Sequence, residues 1–563
     1  MKNHLWVRLI IVLLLCAPPL LVRVGTPAPV RIMESLSFLS SQETWLRMHQ
    51  GEPDAWKMPT WNGNPRVEKP PLLVWLNLAA WKGLDPSATV DDLVLRSRLV
   101  SAALALLAVA SVFWIGAMLG GPRLATLAAL ATGSAWFFIR QARYASYDTH
   151  ITGWATLAVA AGLWAIRAPT KRTGVVCLAW AAATLAITAA NYTKGPIGLL
   201  LTIPPLAAAA AIFPERRRNV AGVIAAALAS AGLLAPWFLL ASARIPEAAE
   251  RFQREYVYIF EMFKNPLAYT VLLGLVFPWT LWLGAGAVMP LINRERRREP
   301  GFLFSWGWLI ILLLLFSLSP VKNKRYLVPL LPAAGLLVAH TWRLLQDKMA
   351  AARECRWARP LGRIHWGVLM LSSPLAGLFV VLQSRLVAAG VLSQVLVVGI
   401  PPLLAMIAAA ALLGIAVAGW KMQNKARVHG AAILTALWML IAATFGYCGY
   451  AAAPHEQWPF RNDAERAAVL APPGRLFHIS RFRYPDHEAM PSHEFLIYYR
   501  GVIPAITLDD IRARANGGDD ILVMTRLAPE DEAVMEQAGF HHTTTIADGR
   551  KPDWKLWSRR KAD

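Results

Sequence analysis

The chain has 563 residues, 56% of them hydrophobic and 16% charged, with a formal net charge of +22 at pH 7. Apolar runs of about 20 residues, long enough to cross a hydrocarbon core, recur as far as residue 450, which excludes a soluble globular protein; the spans must be α-helices, because lipid leaves no partner for open backbone and the alternating strands of a barrel are not seen. The charge does not point to nucleic acid, since most Lys and Arg stand in short loops between apolar runs, where they anchor topology against anionic lipid heads.

In chain order, the apolar run 5–22 behind Lys2 reads as a retained anchor, because no small-residue cleavage site follows it. Residues 25–96 then form a long first outer loop, and structureless loops beyond roughly 15 residues are usually functional. Within it, 34–46 mixes Leu36, Phe38, Leu39, Trp45 and Leu46 with Ser, Gln and Glu, a composition that predicts a helix lying on the membrane surface. Pro59, Asn62-Gly63 and Pro65 mark turns. Glu68-Lys69-Pro70-Pro71 closes the loop before another apolar run, and the paired prolines fix the backbone so that Lys69 is held on a stiff mount.

Hydropathy predicts about thirteen spans, near 5–24, 97–119, 122–139, 149–166, 174–192, 196–213, 220–242, 268–291, 302–319, 326–345, 365–384, 389–419 and 430–450. Alternate connections are strongly basic (167–172, 216–218, 294–298, 348–363 and 421–427), which the positive-inside rule places in the cytoplasm together with the N-terminus. The first outer loop, 140–148, 192–195, 243–267, 320–325 and everything after 450 then face the other side. Lys69, Arg143, Lys194, Lys322, Lys324 and Arg325 break the rule by sitting at span ends on that outer side, where a bound phosphate accounts for them; snorkelling at the interface is the plain alternative. Cys16, Cys177, Cys355 and Cys448 are far apart and indicate neither a disulfide framework nor a metal site.

After residue 453 hydrophobicity falls. Short β-rich runs at 476–479, 495–499 and 521–524 alternate with helix-like segments such as 529–538, predicting a small α/β domain. His455, His478, His487, His493, His541 and His542 have no metal-site spacing and read as surface residues. The expected architecture is an α-helical polytopic membrane domain over 1–450, including the loop 25–96, followed by a soluble extracytoplasmic α/β domain over 451–563.

Pro59-Thr60-Trp61-Asn62-Gly63 with Glu68-Lys69-Pro70-Pro71-Leu72 resembles the polytopic glycosyltransferases that include the bacterial aminoarabinose transferases of lipid A and the protein O-mannosyltransferases. Met33-Glu34 followed by Gln42-Glu43 resembles the start of that family's first outer loop, where an Asp-Glu pair stands. Arg143-Tyr144-Ala145-Ser146-Tyr147-Asp148 resembles its second acidic motif, Thr193-Lys194-Gly195-Pro196 its next loop, Phe277-Pro278-Trp279 a later span, and Lys322-Asn323-Lys324-Arg325-Tyr326 with Pro329 and Pro332 its outer hairpin. The resemblance implies the C-type glycosyltransferase fold and inverting transfer of a sugar from a polyprenyl-phosphate donor to a lipid, glycan or protein hydroxyl at the outer face of a bacterial inner membrane. It implies membrane lipids but no nucleic acid as partners. Met33 replaces the first carboxylate of the pair, so the catalytic role passes to Glu34.

On this reading Glu34 is the general base toward the acceptor hydroxyl; a helix-start glutamate that merely complements the dipole is the competing reading. Lys69 leads the candidates for the donor phosphate, then Lys324 and Arg325, with Lys322, Arg143 and Lys194 behind them. Asp148 either orients a lysine, binds a sugar hydroxyl, or simply pairs with Arg143. Tyr326 either hydrogen-bonds the phosphate or belongs to the interfacial aromatic belt, and Glu68 sets the position of Lys69. The fixed cations can take the place of a divalent ion, so no cofactor is required; a divalent metal is compatible with the reading but no constellation indicates one. A transporter or flippase of lipid-linked sugar is the main rival, but it calls for ionisable residues at mid-membrane and repeated broken helices. An oligosaccharyltransferase would carry a Trp-Trp-Asp-Tyr-Gly motif, which is missing here, and an inactive scaffold is the third alternative.

Overall fold

The structure, a computed structural model, describes residues 2–26, 32–169, 172–257, 266–319, 322–350, 358–391, 399–425, 427–450, 459–471, 474–480, 491–516, 521–526, 529–548 and 551–559. Cys355, His455 and His487 lie outside these residues, as do parts of the basic loop 348–363 and of the predicted span 389–419. The chain divides into two compact units: one comprises Met1–Thr26, Glu68–Leu73 and Arg98–Ala453, the other Pro27–Val67, Val74–Ser97 and Pro454–Asp563.

The helices in chain order begin with α1 (Lys2–Leu21), α2 (Ile32–His49), α3 (Leu72–Ala80), α4 (Val90–Gly133), α5 (Trp136–Ala142) and α6 (Tyr147–Arg167). Next come α7 (Thr173–Lys194), α8 (Ile197–Ile212), α9 (Arg216–Arg244), α10 (Ala248–Val257), α11 (Leu272–Leu275), α12 (Thr280–Ile292), α13 (Arg294–Arg298) and α14 (Pro300–Leu318). A 3-10 segment, Lys324–Leu330, leads into α15 (Leu331–Ala350), then α16 (Ala358–Ala388), α17 (Pro402–Asn424) and α18 (Val428–Tyr450).

Among the described residues ten helices are long and apolar enough to cross a membrane, and α8 and α12 are shorter apolar helices. One of the ten, α4, is broken at Gly120-Gly121. Gly121 takes φ +79, a left-handed value that suits only glycine, and Pro122 restarts the helix where a missing N–H costs nothing. The expectation of about thirteen spans treats these broken and short pieces as spans in their own right. The first unit is a multi-pass membrane body whose apolar core runs through α1, α4 to α9, α11, α12 and α14 to α18.

The second unit joins most of the segment 25–96 to the C-terminal residues, and this division differs from a boundary at 450. Its core shows why. Phe38 and Trp45 of α2, with Trp81 and Leu93, pack in one cluster with Phe495 and Trp554 from the other end of the chain. Loop and tail share the apolar area that each needs to be stable.

The segment 34–46 is helical, as predicted, but α2 does not present one greasy and one wet face. From Glu34 to Trp45 every residue except Leu36 is buried, so the surface-lying helix expected there is a core helix. The turn signal at Asn62-Gly63 is a tight hairpin between β1 (Thr60–Trp61) and β2 (Asn64–Pro65), with both central residues at positive φ, as a primed two-residue turn requires.

The C-terminal part contains α19 (Pro459–Leu470), α20 (His493–Tyr499), α21 (Leu508–Asn516) and α22 (Pro529–Gln537) around a four-stranded sheet of β3 (Leu476–Ser480), β4 (Leu522–Arg526), β5 (His541–Asp548) and β6 (Lys551–Ser558). The strand order is β3-β4-β6-β5, parallel between β3 and β4 and antiparallel elsewhere. The predicted strand at 495–499 is instead α20. Ser492 caps it by accepting from the Phe495 N–H at 3.1 Å, and Arg500 closes it in the left-handed region at φ +60. Two capped ends and five consecutive buried residues make a short core helix of an apolar run that has no period of its own.

Candidate functional site

The antiparallel pair α6 and α7 brings the first turn of one beside the last turn of the other. Ser146, in extended backbone, precedes α6 and leaves Asp148 in its first turn, where a carboxylate complements the helix dipole. Lys194 is the last residue of α7, the favourable end for a cation. Gly195 at φ +72 then turns the chain, donating its N–H to Asn191 O at 2.7 Å, and α8 begins.

Asp148 is 2% exposed, and its two oxygens are divided between two cations. Lys194 Nζ donates to Oδ1, and Arg325 Nε lies 3.5 Å from Oδ2. Arg325 comes from the 3-10 segment after α14, whose tight start is fixed by Asn323: its side-chain oxygen accepts from the Arg325 N–H at 3.1 Å. Tyr326 fills the space between, with Lys194 Nζ 4.8 Å and the Arg325 guanidinium 5.5 Å from its ring centroid. Lys324, the neighbour of Arg325, is exposed. One carboxylate between two cations leaves a surplus of positive charge at a helix-end cluster of four sequence-predicted residues.

Other predicted residues go elsewhere. Arg143 does not pair with Asp148; its guanidinium donates to Pro19 O at 2.8 Å and Val22 O at 2.9 Å and stacks on the Tyr447 ring at 3.8 Å. Those carbonyls belong to the end of α1 and the turn after it, where orphan acceptors attract a forked cation. Burial pulls its pKa down to about 10. Lys322 likewise caps the end of α14, donating to Phe316 O at 3.2 Å and Ser317 O at 2.6 Å, with its ammonium 5.2 Å from the Tyr269 ring centroid. Lys69 is buried ahead of its proline pair. Glu68, expected to set Lys69, has an ion pair with Arg251 of α10 at 3.8 Å.

Glu34 belongs to the second unit, in the first turn of α2 and 1% exposed. Met33 beside it is half-buried. Asn62 and Asn323 stand in motifs named from the sequence, but their side-chain partners, like those of Arg251 and Glu494, are not foreseen there. An asparagine directly before a basic pair is a recognisable cap signal, whereas the other three matter through contacts between distant segments.

The chain is 30% identical over 311 residues to undecaprenyl phosphate-alpha-4-amino-4-deoxy-L-arabinose arabinosyl transferase 1 of Pseudomonas fluorescens, covering 53% of each chain. It is 29% identical over 314 residues to the corresponding transferase of Edwardsiella ictaluri, covering 53% of this chain and 54% of that one. The chain thus spans about half the length of the curated relatives it matches. Among solved structures it superposes on ArnT from Cupriavidus metallidurans bound to undecaprenyl phosphate with a TM-score of 0.69 and 18% identity, over 99% of this chain and 98% of that one. The chain has the C-type glycosyltransferase fold. The archaeal oligosaccharyltransferase AglB from Archaeoglobus fulgidus shares it more distantly, with a TM-score of 0.54 and 11% identity over 95% of this chain and 71% of that one. No protein-family model matches the chain.

Proposed function

We propose that the protein is an inverting glycosyltransferase of a bacterial inner membrane that moves a sugar from an undecaprenyl-phosphate donor to an acceptor hydroxyl on the outer face, with the N-terminus in the cytoplasm. The observation that carries the reading is Asp148 buried between Lys194 and Arg325, in a chain whose relatives are named for undecaprenyl-phosphate sugar transfer.

The chemistry explains why cations belong there. The acceptor oxygen attacks the anomeric carbon from the face opposite the phosphate, its proton passes to Glu34, and the carbon–oxygen bond to phosphate breaks with its electron pair going to the phosphate. A monoanionic phosphodiester becomes a monoester with one more negative charge, so cations fixed around it stabilise the transition state more than the bound donor. Asp148 orients Lys194 and Arg325, and Tyr326 walls them; Lys69 and Lys324 supply further positive charge. Lys322 and Arg143, committed to helix ends, hold the frame. No divalent ion is needed, because side chains supply the charge.

The test supplies the purified full-length protein in nanodiscs with labelled undecaprenyl phosphate-α-4-amino-4-deoxy-L-arabinose and other undecaprenyl-phosphate sugars, with lipid A, glycan and protein acceptors in parallel. Wild type should release undecaprenyl phosphate, in EDTA as well as without it. Glu34→Gln should abolish release, and Lys194→Ala and Arg325→Ala should each lower kcat by roughly 10²–10³, the usual loss for one charge-stabilising donor. No release from any donor, or full turnover in all three variants, overturns the proposal.

A further inference from the structure

Several polar side chains of the second unit have no part in this chemistry, yet they all lead to the helix that carries Glu34. Asn62, at the tip of the β1–β2 hairpin, donates through Nδ2 to Ile503 O at 2.9 Å and accepts at Oδ1 from Ile503 N at 2.8 Å. On its other side the hairpin grips α2. Glu43 Oε1 accepts from Thr60 Oγ1 at 2.6 Å and from Gly63 N at 2.9 Å, and Arg66 Nη1 donates to Leu36 O at 3.2 Å. A second connection reaches the residue after Glu34 directly: Ser35 Oγ donates to Glu494 Oε1 of α20 at 3.4 Å.

We infer that the C-terminal segment 491–506 holds the first turn of α2 in place, with Asn62 and Glu494 as positioning residues for Glu34; the catalytic consequence rests on the proposed role of Glu34 as base. A hairpin with two-residue strands has no stability of its own in water. What fixes it is the reciprocal pair with the Ile503 backbone, which satisfies both main-chain groups of one residue and both ends of one amide. The fixed hairpin then holds α2 at Glu43 and Leu36, while Glu494 holds it at Ser35. A general base works only when its oxygen is kept within hydrogen-bond reach of the attacking hydroxyl, so a loosened first turn lowers the chemical rate and leaves the grip on the donor lipid intact.

The test uses the full-length protein in nanodiscs with the undecaprenyl-phosphate sugar that supports turnover. Asn62→Gly is the informative variant, because glycine keeps the positive φ without strain while removing both bonds. Glu494→Ala removes the second link, and Glu494→Gln keeps an oxygen for the Ser35 hydroxyl. Asn62→Gly and Glu494→Ala should lower kcat roughly tenfold to hundredfold while donor KM stays within about twofold, the split that separates a transition-state defect from lost binding. Hydrogen exchange should accelerate in both at amides 33–40, and Glu494→Gln should recover most of the wild-type kcat. Unchanged exchange in Asn62→Gly overturns the inference, as does faster exchange with wild-type kcat. Glu494→Gln as inactive as Glu494→Ala gives the Glu494 charge a chemical role and overturns the positioning one. Wild-type kcat in Glu34→Gln would remove the base assignment while the exchange readout still decides the mechanical link, so the two failures are distinguishable.

Discussion

Burying an ion costs several kcal/mol unless partners compensate it, and Asp148 has two, Lys194 and Arg325. Removing the carboxylate strands both cations, whereas removing Lys194 leaves Asp148 paired with Arg325 alone. Asp148→Asn should therefore destabilise the protein by about 3–5 kcal/mol, and Lys194→Met by less. The double variant should lose clearly less than the sum, because each change removes the penalty left by the other. Apparent melting temperatures of the four proteins in one detergent check this; additive losses would mean that the pair is not coupled. Arg143 gives the opposite expectation. Arg143→Lys keeps the charge but cannot serve two carbonyls and a ring at once, so it should cost about 1–2 kcal/mol in stability and leave donor KM unchanged. A large rise in donor KM would return Arg143 to the phosphate.

At the scale of elements, α20 exists because its ends are capped. Ser492→Ala removes the acceptor for the Phe495 N–H and should lower stability by about 1 kcal/mol, read as faster hydrogen exchange within α20; exchange as slow as wild type would show that packing alone sustains the helix. In α2, burial pushes the Glu43 carboxyl above the ordinary glutamate value, against the bonds from Thr60 and Gly63 and the charge of Arg47. Above the ordinary value the folded chain then binds more protons than the unfolded one. The stability that Glu43 contributes is complete at acid pH and declines as pH rises through the raised native value. Glu43→Gln keeps the accepting oxygen and abolishes this decline, so the variant should gain on wild type from acid to neutral pH in melting temperature. An offset constant with pH would contradict the assignment.

These elements also mark how far sequence carries. Among the described residues most predicted spans coincide with a helix or part of one, because twenty-residue apolar runs have one solution in lipid; 268–291 is instead divided between a 3-10 segment, α11 and α12. The Asn-Gly turn was equally legible, since its backbone chemistry is local. The apolar run 495–499 was not, because five residues without a period fit strand and helix alike until a cap decides. Nor could loop charges say which cations meet Asp148. Lys322 and Arg143 turn to helix ends that only the packed fold brings near them, whereas Lys194 and Arg325 reach the carboxylate through the antiparallel packing of α6 on α7 and the Asn323 cap.

At the scale of the whole molecule, residues separated by more than 400 positions complete one core, so neither end of the second unit is expected to hold its shape alone. A chain ending at residue 450 retains α2 and the hairpin but loses Phe495 and Trp554 from the cluster that contains Phe38, Trp45 and Trp81. It also loses the Ile503 backbone from Asn62 and the Arg500 guanidinium from Ala88 O and Pro86 O. Each large side chain re-exposed forfeits about 1.5–3 kcal/mol, enough to raise the open population of the loop at least tenfold or so where opening precedes cleavage. Trypsin should accordingly cut the truncated protein after Arg47, Lys57 and Arg66 far faster than the full-length protein, while the basic run 216–218 of the first unit is cut at similar rates in both. Equal cleavage of 27–67 in the two proteins would show that this loop folds without the C-terminal residues. The positioning of Glu34 would then have to come from elsewhere.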